Sequence, residues 1–318
     1  MIKILIADCS TLTQNNDLDI TVFQQYGDVV YNPNISRDKL LATVSDYDMI
    51  LCNKTIIDRA VIERAKKLKY IGLFATGYNN IDITAARERG ITVCNAGSYS
   101  TSAVAQQVFA YILNHYNAVN QYNNFVQNGG WQSSTTFSVL CFPTDELKNK
   151  TIGIIGYGSI GKRVAQIALA FEMNVLVYTR TPKDDNRVKF VSLDQLLKTS
   201  DIITPHCPLN DDSKEMFNKE TFGKMKDGAF FINTARGGVV NEADLADALK
   251  SGKLSGAAVD VLNAEPMAND CCLLHAPNLI ITPHTAWAPL ATRKRLLGIV
   301  EDNIISFLNG QPKNTVSK

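Results

Sequence analysis

The chain has 318 residues, 45% of them apolar and 20% charged, with 32 Lys and Arg against 31 Asp and Glu and a formal net charge of +1. That length favours two domains over one core. The even charge balance argues against a nucleic-acid partner, and no apolar stretch reaches the ~20 residues that would span a bilayer. The opening "MIKILIADCS" turns polar too soon for a signal peptide, so a cytoplasmic protein with no membrane partner is expected. The seven cysteines, odd in number and without a CxxC pair, read as reduced thiols with no metal site. The adjacent Cys271 and Cys272 leave open an oxidation-sensitive turn.

Short apolar runs alternate with helical patterns along most of the chain, which predicts an α/β architecture built on parallel sheets. The first strands are expected in "KILIAD" (3–8), "VVY" (29–31), "DMILC" (48–52), "YIGLFA" (70–75) and "ITVCN" (91–95), forming a small doubly wound unit. Residues 101–119 predict a long helix with Val104, Val108, Tyr111, Ile112 and His115 near one face; His115 reads as a surface or interface residue. The polar stretch 121–150 shows no clean period and is expected to be a loop or arm. Six strands follow, in "TIGIIG" (151–156), "NVLVYT" (174–179), "DIITPH" (201–206), "AFFINT" (229–234), "GAAVDV" (256–261) and "LIITPH" (279–284), in one continuous doubly wound sheet. A helix over 291–310 and a frayed polar tail close the chain.

Gly156-Tyr157-Gly158-Ser159-Ile160-Gly161 is a GxGxxG between a buried strand and a helix whose apolar face is expected at Val164, Ile167, Ala168 and Phe171. The first glycine suits a tight turn, the second lets a pyrophosphate approach the backbone, and the third lets helix and strand pack closely. The anion would sit on the free N–H groups at the helix start. A dinucleotide unit for NAD carries an acid about 20 residues on, to hold the ribose hydroxyls. Here the second strand ends in Thr179-Arg180-Thr181. Arg180 suits a 2′-phosphate, which favours NADP; the alternative is an arginine stacked on adenine with NAD bound.

Ligands in such sheets bind at the carboxyl ends of the strands. Those ends deliver His206-Cys207-Pro208, then Thr234-Ala235-Arg236, then Asp260 with Glu265 beyond it, then His284 and Trp287. An arginine, a carboxylate and a histidine beside a dinucleotide loop suit reduction of a 2-keto acid. The arginine fork matches a carboxylate, and a histidine held by a glutamate can protonate a carbonyl oxygen. His206 lies in the same local string as His284 and is the rival acid–base.

These residues sit in stretches that resemble the D-isomer-specific 2-hydroxyacid dehydrogenases over nearly the whole chain, and within them the glycerate dehydrogenases, also called hydroxypyruvate reductases. The carrying stretches are residues 75–106, "GIIGYGSIGKRVA" (153–165), "INTARGGVVNEADLADAL" (232–249), "AAVDVLNAEP" (257–266) and "TPHTAWA" (282–288). The resemblance implies two Rossmann-like doubly wound parallel-sheet domains with a cleft between them. Residues 1–100 and 285–318 would form the substrate domain. Residues 101–284 would form the dinucleotide domain, with an intersubunit arm near 123–148 of a homodimer. It implies that Arg236 binds the substrate carboxylate, that His284 is the acid–base and that Glu265 is its partner. It puts Asp260 near the nicotinamide carboxamide and Thr76 and Gly77 on a loop facing substrate and cofactor. Trp287 would lie near the substrate. Ser159 and Ile160 would lie under the pyrophosphate, with Cys207, Pro208, Thr234 and Ala235 along the cofactor.

The sequence departs from the family pattern at Thr179-Arg180, where an acid is usual, and at Leu262-Asn263, where an aromatic is frequent. The expected reaction is NADP(H)- or NAD(H)-dependent reduction of hydroxypyruvate or glyoxylate. A bulkier 2-keto acid and a dinucleotide-sensing corepressor are the alternatives.

Overall fold

The computed structural model describes residues 1–181 and 184–317, whose apolar runs sort into two parallel sheets in two units. The first unit is Met1–Ser100 with Ala288–Lys318 and the second is Thr101–Trp287. In chain order the first unit contains β1 (Lys3–Ile6), β2 (Asp28–Tyr31), α1 (Arg37–Thr43), β3 (Met49–Cys52), α2 (Arg59–Arg64), β4 (Tyr70–Leu73), α3 (Ile83–Glu88) and β5 (Thr92–Cys94). The second begins with α4 (Thr101–Asn117) and α5 (Val119–Gln127). It continues with β6 (Thr151–Ile155), α6 (Ser159–Ala170), β7 (Asn174–Tyr178), β8 (Lys189–Phe190) and α7 (Leu193–Thr199). It ends with β9 (Ile202–Pro205), α8 (Lys219–Lys224), β10 (Ala229–Asn233), α9 (Glu242–Lys250), β11 (Leu254–Val259) and β12 (Leu279–Ile281); α10 (Leu290–Leu308) returns to the first unit.

The first sheet has the order β2-β1-β3-β4-β5, and β3 and β4 are buried at every position. Both faces must therefore be covered, as expected of a parallel sheet. Leu40, Val61, Ile62, Ala85 and Ala86 from α1 to α3 pack on one face. On the other, Tyr70 of β4 meets Phe307 of α10 with ring centroids 4.8 Å apart. Ser36, Asp58 and Asp82 cap α1, α2 and α3 by accepting a backbone N–H of the first turn.

The second sheet has the order β12-β11-β10-β9-β6-β7-β8, and all its pairings are parallel. Side chains alternate between two cores: Ile154, Phe230 and Ile232 pack with α4 and α6, while Ile155, Ile203 and Phe231 pack with α7, α8 and α9. The order of connection reverses between β6 and β9, which puts the glycine loop at the switch point. Both units are thus parallel α/β folds, as the alternating runs predict, and Rossmann-like, as the resemblance implies.

Five local expectations are corrected. The irregular arm begins with a helix, α5, whose Tyr122 and Phe125 rings meet Phe142 edge-on at 5.0 and 6.3 Å. Its Asn-rich composition hides the apolar spacing, because asparagine is a poor helix former; residues 128–150 hold no further helix or strand. A seventh strand, β8, consists of only Lys189 and Phe190 and carries too little pattern to be seen in advance. On α6 the buried face is Gly161, Val164, Ala165 and Ala168. The helix turns its small residues to the sheet, while Phe171, 39% exposed, stacks on Phe109. His115 is half-buried rather than an exposed helix-surface residue: its ring stacks on Phe230 at 4.1 Å and its Nε2 lies 3.2 Å from Ser255 Oγ. Burial lowers its pKa. The tail is not frayed as far as Ser317, Lys318 lying outside the described residues. Asn95 N–H donates to Asn314 O at 3.1 Å and Val316 N–H to Val93 O at 2.9 Å, so the tail occupies the open edge of β5.

Candidate active site

The glycine loop has the backbone its sequence requires. Gly156 has φ +92°, and a Cβ there would lie 2.7 Å from the His206 carbonyl oxygen. A Cβ on Gly161 would lie 2.1 Å from Gly156 O, so the third glycine lets α6 pack against the loop. Gly158 is different: a Cβ there would meet nothing within 4 Å. It is the N-cap of α6, and it supplies no side-chain cap, in contrast to Ser192 on α7 and Asn241 on α9. Ser159 and Ile160 begin the helix beside this open approach. Across the sheet, Thr234 Oγ1 at the end of β10 is buried with no hydrogen-bond partner among the described residues. An uncapped helix start, an open second glycine and an orphaned hydroxyl along the same strand ends fit a dinucleotide. Tyr157, between the first two glycines, is buried and donates to Asp185 Oδ2 at 2.8 Å. Asp185 also takes a forked bond from Arg187, and Arg187 and Tyr157 together hold its carboxyl well below the usual range.

Three loops converge beyond β10, β11 and β12. After β10, Asn233 closes the Arg236 turn: its Nδ2 donates to Arg236 O at 2.9 Å and its Oδ1 accepts from Ala235 N at 3.0 Å. Arg236 Nη1 donates to Ala235 O at 2.7 Å. The next residue, Gly237, packs so tightly that a Cβ would lie 2.0 Å from the Leu262 carbonyl carbon and oxygen. The Arg236 turn is therefore pressed, backbone to backbone, against the loop that carries Glu265. That loop is fixed at Asn263, whose N–H donates to Glu242 Oε1 at 2.6 Å and whose side chain donates to Val240 O at 3.3 Å. Glu265 Oε1 accepts from Leu262 N at 2.9 Å, which leaves Oε2 to meet His284 Nδ1 at 2.6 Å.

His284 is presented by a strained turn, at φ +54°. Asp260, 2% exposed, holds it there. Its Oδ1 accepts from Thr285 N at 2.8 Å and from Thr282 Oγ1, its Oδ2 accepts from Ala286 N at 2.9 Å, and its backbone O accepts from His284 N at 2.8 Å. Thr282 Oγ1 also pairs with Tyr111 OH of α4. This clasp ties Thr285 and Ala286 to the end of β11.

The other candidate positions are distributed as follows. Thr179 and Arg180 leave β7, and Arg180 is largely exposed. Cys207 is partly buried and Pro208 exposed at the end of β9; Ala235 is buried beside Arg236. Burial raises the Cys207 thiol pKa, and the Arg180 charge pulls it the other way. Thr76 and Gly77 follow β4 in the first unit. Thr76 Oγ1 donates to Gly97 O, and Asn95 Nδ2 donates to Thr76 O at 2.7 Å. Asn95 is held in turn by Asn303, and Asn303 by Asn314 of the tail, at 2.9 and 2.8 Å. His206 keeps part of its surface accessible, yet the surrounding chain pushes its pKa down to about 3 and its Nε2 lies 3.1 Å from Thr204 Oγ1.

Sequence reasoning misses Asn233, Glu242 and Thr282, and it reads Tyr111 only as part of a helix face. Asn233 had a readable signal, since an asparagine ending a buried apolar strand needs a use for its amide. The other three act across the fold and leave no local trace.

The profile of the D-isomer specific 2-hydroxyacid dehydrogenase NAD-binding domain matches residues 109–286. The chain belongs to the D-isomer specific 2-hydroxyacid dehydrogenases. It is thus an oxidoreductase with a nicotinamide dinucleotide cofactor. A hydroxypyruvate reductase of Blautia hydrogenotrophica is 40% identical over 322 residues, covering 99% of this chain and all of the relative. Among solved structures of similar fold, the TT0316 protein of Thermus thermophilus superposes with a TM-score of 0.89 at 33% identity, covering 99% of this chain and all of the other. An acyclic imino acid reductase in complex with NADPH and D-Arg superposes at 0.88 with 29% identity and the same coverage. Among the described residues, no helix of this dehydrogenase is long and apolar enough to cross a membrane.

Proposed function

We propose that this dehydrogenase reduces a small 2-keto acid, hydroxypyruvate or glyoxylate, to the D-2-hydroxy acid, with NADPH favoured over NADH. The observation that carries the reading is the 2.6 Å pair between His284 and Glu265 on a loop packed against the Arg236 turn. Glu265 accepts a hydrogen bond from Nδ1–H and orients the ring, so Nε2–H is left to protonate the carbonyl oxygen and the ring ends as neutral imidazole. Arg236 binds the substrate carboxylate with its planar fork. Thr76, Gly77 and Trp287 complete the substrate contacts that the family pattern implies. The cofactor supplies the hydride. Gly156, Gly158, Ser159, Ile160 and Gly161 would hold its pyrophosphate, and Cys207, Pro208, Thr234 and Ala235 would line it. Asp260 would reach its nicotinamide end while clasping the His284 turn.

The preference for hydroxypyruvate draws on the Blautia relative's name. The preference for NADPH draws on Thr179-Arg180, where no acid stands against a 2′-phosphate, and on the NADPH-bound neighbour. We also place the enzyme in the cytoplasm, in keeping with its free cysteines. We assign it a homodimer in which 123–148 is the intersubunit arm. Phe137 and Leu140 there are 90% and 91% exposed in the isolated chain, and a partner subunit would cover them.

The test is kcat/KM for a panel of 2-keto acids, from glyoxylate to phenylpyruvate, each with NADPH and NADH. Hydroxypyruvate or glyoxylate with NADPH should lead. A lead for phenylpyruvate would overturn the substrate, and a tenfold lead for NADH would overturn the cofactor preference.

A further inference from the structure

Arg180 already has an anion. Its Nη1 lies 3.2 Å from Asp212 Oδ2, a residue 32 positions further along the chain. Asp212 stands on a rigid turn after β9. Asn210 N donates to Ser213 Oγ at 2.9 Å, Ser213 N donates to Asn210 Oδ1 at 3.1 Å, and Ser213 Oγ donates to Pro208 O at 2.7 Å. Between β7 and β8, the residues from 185 onward are held as well. Asp185 is tied to Tyr157 of the glycine loop, and β8 returns to pair with β7. Arg187, the other arginine of that loop, is committed to Asp185 through Nε and Nη2 at 2.9 and 2.8 Å. The end of β7 and the turn after β9 thus set Arg180 and Asp212 opposite one another, where the adenosine ribose of a bound dinucleotide belongs.

We propose that Asp212 is a specificity-determining residue: it competes with the 2′-phosphate of the cofactor for the Arg180 guanidinium. The proposal rests on the reading of Arg180 as the phosphate contact. A phosphorylated cofactor binds by exchange of partners, taking the guanidinium and releasing the Asp212 carboxylate to water. An unphosphorylated cofactor leaves the pair intact. Asp212 thus lowers the advantage of the phosphorylated form and narrows the gap between the two cofactors. The pair is largely exposed, at 69% and 72%, so the exchange is gradual in strength and sensitive to salt.

The experiment is calorimetric binding of 2′,5′-ADP and 5′-ADP to the full chain, with wild type, Asp212→Asn, Arg180→Ala, the double variant and Asp211→Asn. Asp212→Asn should tighten 2′,5′-ADP by about two- to fivefold at low salt, the worth of an exposed pair. It should leave 5′-ADP unchanged. High salt should shrink the gain, and the Arg180→Ala background should abolish it. Asp211→Asn controls for net charge. No gain in Asp212→Asn overturns the proposal, as does an equal gain in Asp211→Asn or one that persists without Arg180. The cofactor reading fails separately. A wild type that binds both ligands alike, beside an Asp212→Asn variant that prefers 2′,5′-ADP, would sink the NADPH preference and keep the role of Asp212.

Discussion

The pentapeptide Ile-Ile-Thr-Pro-His occurs twice, at 202–206 and 280–284, and the two copies have opposite fates. The first is β9 and its exit, in the middle of the sheet between β10 and β6. Its histidine continues the ladder, with His206 N donating to Ile155 O at 2.6 Å, and its carbonyl forms the floor under Gly156. The ring is held neutral by its surroundings. The second copy leaves β12, an edge strand with only β11 beside it among the described residues. Here the chain is free to turn, and Asp260 turns it, placing His284 at positive φ against Glu265. Identical residues thus become a structural prop in one place and a candidate proton donor in the other. The neighbouring strands make the difference: a central position commits the backbone on both sides, while an edge leaves it available to a clasp.

Exchanging each histidine in turn for glutamine separates the two copies. His284→Gln should lower kcat for keto-acid reduction by roughly 10²-fold or more with cofactor affinity nearly intact. His206→Gln should leave kcat within about threefold, because its ring is not offered as an acid. The reverse pattern in steady-state kinetics would exchange the two roles.

Gly156→Ala probes the structural copy from above. The new Cβ would strike the His206 carbonyl in a backbone at φ +92°, so the glycine loop must shift. Cofactor Kd should rise about tenfold, and stability should fall by about 1–3 kcal/mol. An unchanged Kd by fluorescence titration would show that the loop does not depend on the His206 floor.

The threonines allow a matched pair of smaller changes. Thr282→Val removes the hydroxyl that links Asp260 to Tyr111, and should lower kcat about fivefold by loosening the His284 turn. Thr204→Val removes only the partner of His206 Nε2, and kcat should not move. Equal effects of the two in the same assay would mean that the clasp does not position His284.

The remaining difference is in the acid stability. The pKa of His206 lies at about 3 in the folded chain against 6.5 for a free side chain, so the unfolded state binds more protons between these values. Its contribution is fully present above about pH 6.5 and is lost as the pH falls toward 3, with a slope of at most about 1.4 kcal/mol per pH unit. His206→Gln removes that dependence, so its Tm should fall less steeply than the wild type's between pH 6.5 and 4. Parallel curves for the two proteins would exclude His206 as a source of acid lability.

Much of this enzyme was legible before folding. Alternating apolar runs set both parallel sheets, since a strand buried on both faces needs a run without charged residues, as in Met49–Cys52 of β3 and Tyr70–Leu73 of β4. The glycine loop was legible because each glycine answers a local steric need. Arg236, Glu265 and His284 were named from the strand ends that carry them. What the sequence could not contain was the difference between two identical strings. That depends on strand order, which is a property of the whole sheet. Glu242 and Asp260 act on backbone 21 and 25 positions away and Tyr111 on a hydroxyl 171 positions away, and only the closed fold creates those contacts. The same holds for Arg180 and Asp212: each is an exposed charge in the sequence, and the packing of two loops makes them a pair.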